Sequence, residues 1–385
     1  MEPWKIRQSL LLASAFLFTS GYSSVGIVLL IGTTVWELIR GAPLWQRSSI
    51  DRSLAVLLGV TFLSGLASEW PSKALEATAE FAVGSYVVVR AVALSSGRWK
   101  EFGPRFLTAW GIGGAVAGVL AIISVRIAPD GRAQLIQHGP NALGTTLAMA
   151  AVLLAGLSLN GSRRRQILCL AGGSVVIIGL ILTWSRGAWL AAILGLGVLV
   201  ATTPARRLGP RLLALAAVTA AASPFLVAQW TYNTERFGES LGVDNPLSRL
   251  AIWRVVPRIV SDYPVLGTGL STFGHAYARH VPPPPGLGPP PHAHNIFLNF
   301  AAETGVLGLT AFLAFLAVAT GNLWRWHTRS GPGSPARTMS AIVIAMFATL
   351  MGHQLVDGTV LGSSVGFGFY ALIALGAVAD QTQET

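Results

Sequence analysis

Charge is what this chain has least of. Only 11% of its 385 residues are Asp, Glu, Lys or Arg, against 52% that are apolar, and its mean hydropathy is +0.59. A soluble domain carries about 25% charged residues, so the chain lacks the polar surface to cover itself in water. Cysteine is almost absent. The single Cys169 excludes an intramolecular disulfide and a thiolate metal cluster. Lysine is nearly as scarce, and none of Lys5, Lys73 and Lys100 follows a glycine. Without Gly-Lys there is no phosphate-cradling P-loop, which excludes a Walker-type ATPase. Acids and histidines are missing from the middle of the apolar runs, where an ion-coupled transporter carries them. Glu37, Glu76 and Glu80 come nearest, and all lie toward run ends. A pore lined by neutral groups remains the alternative from another class, a polytopic lipid or glycan transporter.

The apolar runs that are present predict an all-α polytopic membrane protein. Polar breaks divide them into twelve segments, 6–20, 22–39, 53–68, 74–94, 106–127, 139–159, 167–184, 187–202, 211–229, 303–324, 337–356 and 361–379. Each is read as one transmembrane helix of about 20 residues. Residues 6–39 as one helix would be about 51 Å long, too long for a hydrocarbon core of about 30 Å. The small polar run Thr19–Ser24 is therefore read as a hairpin tip. Ala13-Ser14-Ala15 resembles a signal-peptidase site, but the apolar stretch before it is too short for a signal core. The first segment is accordingly read as an uncleaved span. Three regions follow: spans 1–9 over 1–229, one large outer loop over 230–291, and an entering helix with spans 10–12 over 292–385.

Cations orient this arrangement. Of the 27 Lys and Arg residues, 18 fall on one side of a strict loop alternation, in clusters such as Arg163-Arg164-Arg165. The positive-inside rule makes that side cytoplasmic, with both termini on it. The basic clusters are thereby read as topology determinants, not as a nucleic-acid surface. The nine others, Lys73, Arg126, Arg132, Arg186, Arg236, Arg249, Arg254, Arg258 and Arg279, lie on the disfavoured periplasmic side. Five of them belong to the 230–291 loop. Its first half has helical spacing from Leu247 to Ser261, ended by Tyr263-Pro264 and Gly267-Thr268-Gly269. Its second half, Pro282–Pro291, reads as a stiff polyproline-like spacer.

Chemistry concentrates at His292-Ala293-His294-Asn295, just after the prolines. Histidine takes a proton near neutral pH, so a general base at the outer face is expected. A metal pair is the second reading, but no cysteine and few acids are at hand to complete a site. In Thr183–Ala188, Arg186 separates two apolar runs. It reads either as a snorkelling arginine or as part of a diphosphate clamp, since guanidinium forks match phosphate oxygens. Arg249 carries the same logic. His353 and Asp357, four apart, read as an i,i+4 pair that orients or charges a neighbour or, in preference, as a helix-end polar pair facing water, and Glu303 reads as an anchor of the bend there.

Three pieces in order resemble the O-antigen ligase and polymerase superfamily of bacterial inner-membrane glycosyltransferases. They are T-W-S-R-G-A at Thr183–Ala188, S-R-L-A-I-W at Ser248–Trp253 leading into D-Y-P-V-L-G-T-G at Asp262–Gly269, and H-N-I-F-L-N-F-A-A-E-T-G-V-L-G-L at His294–Leu309. The resemblance implies twelve spans with a large outer loop between the ninth and tenth. It puts Arg186, Arg249 and His294 on the catalytic Arg, Arg and His positions, and leaves His292 outside the H-N pattern. It also implies the reaction: metal-independent, inverting transfer of a glycan from undecaprenyl diphosphate to an acceptor sugar hydroxyl, without cofactor or nucleotide. Arg254, Arg258, Asn295, His353, Arg126 and Arg132 are weaker substrate-binding candidates. The acceptor reads either as lipid A-core, as in O-antigen ligation, or as a second lipid-linked repeat, as in polymerisation. The single compact outer loop favours ligation.

Overall fold

The computed structural model describes residues 3–41, 48–93, 99–128, 131–203, 249–282, 288–358, 360 and 364–381. Its elements are all helical: α1 (Pro3–Ser20), α2 (Ser23–Ile39), α3 (Asp51–Ala67), α4 (Pro71–Ala93), α5 (Trp99–Ser124), α6 (Pro140–Leu157), α7 (Arg163–Leu182), α8 (Arg186–Thr202), α9 (Arg249–Asp262), α10 (Phe273–His280), α11 (Ile296–Arg329), α12 (Pro335–Gln354) and α13 (Ser364–Gln381). The turn at Gly21, with φ +101°, separates α1 from α2 where the polar run marks a hairpin tip. The ninth expected span, 211–229, the loop from 230 to 248, and 283–287 of the proline spacer lie outside the described residues.

The protein is a polytopic α-helical membrane protein, but the expectation of about twelve spans is not met. Among the described residues five helices are long and apolar enough to cross a membrane: Glu101–Ser124, Pro140–Leu157, Arg163–Leu182, Ile296–Arg329 and Pro335–Gln354. Three further apolar helices, Ser23–Ile39, Arg186–Thr202 and Val365–Ala379, are shorter than 18 residues. Counting apolar runs overestimates spans because it ignores length and embedded charge. Helix α3 stops at 17 residues, and α4 carries Lys73, Glu76, Glu80 and Arg90 within its 23.

Helix α8 turns small residues inward and large ones outward. Along α8, Gly187, Ala188, Ala191, Ala192 and Gly195 are buried, while Leu190 and Ile193 are 67% and 66% exposed. Lipid tails are as apolar as leucine, so helix association relies on close backbone approach, and small residues permit it. Between α5 and α7 the approach is closest at glycines, where a Cβ on Gly179 would lie 3.1 Å from Gly118 Cα. Helix α8 packs on α12 and α6, and α11 on α3.

The outer segment is pinned to a break in α11. Gly305, at φ +63° and ψ −166°, interrupts the helix. The freed backbone groups pair with 264–269: the N–H of Val306 donates to the Pro264 carbonyl at 2.9 Å, and the N–H of Gly269 donates to the Glu303 carbonyl at 2.7 Å. Non-helical backbone is tolerated in such a bundle only where protein groups satisfy it, and here they do. Helices α9 and α10 pack beside this junction around Ile252, Val256, Ile259, Phe273 and Tyr277.

Candidate functional site

The N-termini of α6, α8, α9 and α11 meet the C-terminus of α12 at one end of the bundle. Loops that the alternation assigns to one side do gather at this end: Gln137 accepts from Ser23 Oγ at 2.9 Å, and Lys73 Nζ lies 3.2 Å from His275 Nε2. Arg279 pairs with Glu69 and stacks over Trp70 at 4.7 Å.

His294 is placed by its caps. Asn295 closes the start of α11, its Oδ1 accepting from the N–H groups of Phe297 at 2.9 Å and Leu298 at 3.1 Å. Its Nδ2 donates to the Leu355 carbonyl at 2.8 Å, which joins the start of α11 to the end of α12. His294 itself adopts φ +52°, a left-handed conformation that costs an L residue about 1–2 kcal/mol. That conformation faces the ring toward Asp357, with Nδ1 3.2 Å from Oδ1.

Asp357 is the residue that sequence reasoning misplaced. Expected at a water-facing helix end, it is 1% exposed, and its partner His353 is 0% exposed. Its Oδ1 accepts from the N–H of Gly358 at 2.8 Å, and Oδ2 lies 3.6 Å from Arg249 Nη2. That separation makes an ion pair but exceeds hydrogen-bond length, which leaves Oδ2 buried without a hydrogen bond. Burial alone would raise the carboxyl, but the hydrogen bond from His294 and the neighbouring histidines outweigh it and hold Asp357 below the usual carboxylate range. An ionised carboxylate only accepts, so the shared hydrogen bond places a proton on Nδ1 of His294 and turns Nε2 away from Asp357.

His353 frames the site from behind. Its Nδ1 lies 2.9 Å from Thr145 Oγ1 and its Nε2 3.5 Å from Ser185 Oγ. Fully buried, it ties α6 and the turn before α8 to the turn carrying Asp357. Arg132 is also engaged in holding that turn, donating from Nε to the Thr183 carbonyl at 2.9 Å and from Nη2 to Asn141 Oδ1 at 3.2 Å.

Arg186 is exposed at the first position of α8, and Ser185 before it makes no side-chain cap bond. Arg249 begins α9 with its side chain 36% exposed. Burial pulls the Arg249 guanidinium below its ordinary value; Asp357 opposes this and the Arg186 charge adds to it, so the two arginines are electrostatic neighbours. Arg254 and Arg258 point to the exposed face of α9, and Arg126 is exposed beyond α5. The structure therefore assembles Arg186, Arg249 and His294 and leaves these three arginines outside the cluster.

His292 packs edge-on against His294, with ring centroids 4.2 Å apart, and its Nδ1 accepts from the His294 N–H at 3.2 Å. Burial, reinforced by His294, lowers its pKa to about 4, so it is neutral near pH 7. His292, His294 and Asp357 each bring a metal-ligating atom within 4.8 Å of the others. Two features oppose a cation there: Asp357 is already paired, and the charges of Arg249 and Arg186 stand beside it.

Residues 171–313 match the family model described as O-antigen ligase. That span is under half of the chain and contains Arg186, Arg249 and His294, but not Asp357 or His353. No curated protein matches the chain. The family match and the polytopic α-helical architecture together support a glycan-handling membrane enzyme of this broad superfamily.

Proposed function

We propose that the protein transfers a glycan from a polyprenyl diphosphate, of the undecaprenyl class, to a sugar hydroxyl at the periplasmic face, with inversion and without a metal. The observation that carries this reading is the hydrogen bond between His294 and Asp357, 3.2 Å long and flanked by Arg249. It leaves Nε2 of His294 as the proton acceptor. The acceptor hydroxyl loses its proton to Nε2 as its oxygen forms the bond to the sugar C1. The bond from C1 to the diphosphate oxygen breaks on the opposite side, and the electron pair leaves with the lipid diphosphate. Asp357 stabilises the imidazolium that forms, an arrangement of base and orienting carboxylate that recurs in nucleophilic catalysis.

Arg186 and Arg249 meet the charge that develops on the leaving diphosphate. The first-turn N–H groups of α8 add to them, since a helix N-terminus favours anions. The free energy already resides in the glycosyl diphosphate, so no nucleotide is required. Lipid A-core is the proposed acceptor, as in O-antigen ligation.

The test uses the purified full-length protein in lipid nanodiscs. It is given a synthetic polyprenyl diphosphate-linked trisaccharide, with and without lipid A-core. Transfer to lipid A-core that persists in chelator and is lost in His294→Ala supports the reading. Chain elongation with the donor alone redirects it to polymerisation. Wild-type turnover in His294→Ala, or loss of activity on chelation, overturns the mechanism.

A further inference from the structure

His294 holds a strained backbone conformation, and such a residue persists only where its surroundings over-determine it. Ala293, the residue before it, is gripped on both of its backbone polar groups. The N–H of Ala293 donates to Asn299 Oδ1 at 3.0 Å, and the Ala293 carbonyl accepts from Trp253 Nε1–H at 2.8 Å. Ala293 is fully buried, and its bond to Asn299 is buried with it. The two grips come from different elements, Asn299 from the first turn of α11 and Trp253 from one turn beyond Arg249 in α9.

Asn299 is itself aimed by a further residue. Its Nδ2 donates to Glu303 Oε2 at 2.8 Å, and Glu303 Oε1 accepts from the N–H of Phe273, at the start of α10, at 3.0 Å. Asn299 and Glu303 are 4% and 1% exposed. A buried relay therefore runs from α10 through Glu303 and Asn299 to the N–H of Ala293, next to His294. Glu303 also receives the Ser64 hydroxyl on its backbone carbonyl at 2.9 Å, which fixes the relay against α3.

We propose that Asn299, Glu303 and Trp253 are positioning residues: they clamp the backbone of Ala293 on both sides and so hold the His294 ring on Asp357, in register with Arg249. The clamp rests on the reading of His294 as the base. Its consequence is mechanical. Trp253 and Arg249 lie four residues apart on one face of α9, so the helix that presents the guanidinium is bonded to the peptide that presents the imidazole. Base and diphosphate clamp are set at a fixed separation, and loosening either grip misplaces the base without touching the substrate. Small misplacements of this kind cost about ten- to a hundred-fold in rate.

The test compares Trp253→Phe, which removes the indole N–H and keeps a smaller aromatic ring, with Asn299→Asp, Glu303→Gln and the double variant of the last two. The double variant reverses the amide–carboxylate polarity and keeps every bond: a carboxylate oxygen still accepts from Ala293, the new amide donates to it, and an amide oxygen accepts from Phe273. Turnover is measured with the polyprenyl diphosphate-linked trisaccharide and lipid A-core. Hydrogen–deuterium exchange of residues 292–296 is followed without substrate. The expected result is a fall in kcat of about ten-fold or more in Trp253→Phe and in each single relay variant, with KM for the donor within about two-fold. Faster exchange at 292–296 accompanies it, and the double variant recovers both. If the single relay variants fail to fold, Trp253→Phe and the double variant decide. Wild-type kcat in Trp253→Phe, or a double variant that folds and exchanges normally yet stays as slow as the singles, overturns the clamp while His294→Ala remains inactive. Wild-type turnover in His294→Ala would instead remove the underlying reading, whatever the exchange shows.

Discussion

At His294 the identity of the hydrogen-bond partner matters more than its distance. A carboxylate at Asp357 forces the ring proton onto Nδ1, whereas an amide could accept or donate and would leave the tautomer unset. Asp357→Asn is therefore expected to cut turnover by about 10²–10⁴, the usual contribution of a general base, with little change in thermal stability. Assay of the purified variant at saturating donor checks this, and full activity would detach Asp357 from the chemistry. The arginines call for a different substitution. A snorkelling cation tolerates lysine, but a fork on two phosphate oxygens does not, because lysine offers only a point charge. Arg186→Lys and Arg249→Lys should each cost roughly 1.5–3 kcal/mol of transition-state stabilisation, or about ten- to a hundred-fold in rate. Arg254→Lys and Arg258→Lys, on the exposed face of α9, should do much less. Equal losses at all four positions would indicate a general charge requirement in place of a clamp.

Among the helices, what holds the site together is the junction between the broken α11 and the segment after α9. A Cβ on Gly305 would lie 2.3 Å from the Val265 carbonyl oxygen, and one on Gly267 would lie 2.3 Å from Glu303 C. Both glycines also have positive φ. Gly305→Ala and Gly267→Ala are expected to destabilise the protein by about 1–3 kcal/mol or more through overpacking and strain. Gly331→Ala, where nothing lies within 4 Å, is the silent control; thermal unfolding in detergent compares the three. This junction also marks what the sequence could convey. A helix from 303 is legible in the apolar run, and the Asn295 cap with the Gly305 break explains why it starts earlier, at Ile296. Arg186, Arg249 and His294 stand out because they are ionisable groups on a sparsely charged chain. Asp357 pairs with His294 across 63 residues, and hydrophobic periodicity carries no trace of such a pairing. Its burial comes from the convergence of α6, α8 and α9 on the end of α12, which turns a position that normally faces water into an interior one.

At the scale of the whole molecule, large apolar residues exposed along the described helices, such as Val28, Leu190 and Ile193, make the surface itself a membrane interface. Side assignment can then be tested without counting every span. Helix α6 separates Ile136 from Asn160, α7 separates Asn160 from the Thr183 turn, and α12 separates Gly331 from His353; all three helices are among those long and apolar enough to cross. Ile136 is 98% exposed, and Asn160 and Gly331 are exposed as well. In a Cys169→Ala background, which removes the one native thiol, cysteines at Asn160 and Gly331 should react with an impermeant maleimide from one side only, and one at Ile136 from the other. The arginine bias names the sides: the loop at Asn160 precedes Arg163-Arg164-Arg165, and Gly331 lies between Arg329 and Arg337, so both should label from the cytoplasm. Ile136 shares its end of the bundle with His294 and should label from the periplasm, where a lipid-linked glycan would be presented. Labelling of Ile136 and Asn160 from the same side would remove α6 as a span. Periplasmic labelling of Asn160 and Gly331 would invert the protein and put His294 on the nucleotide-containing side, where the proposed transfer has no donor.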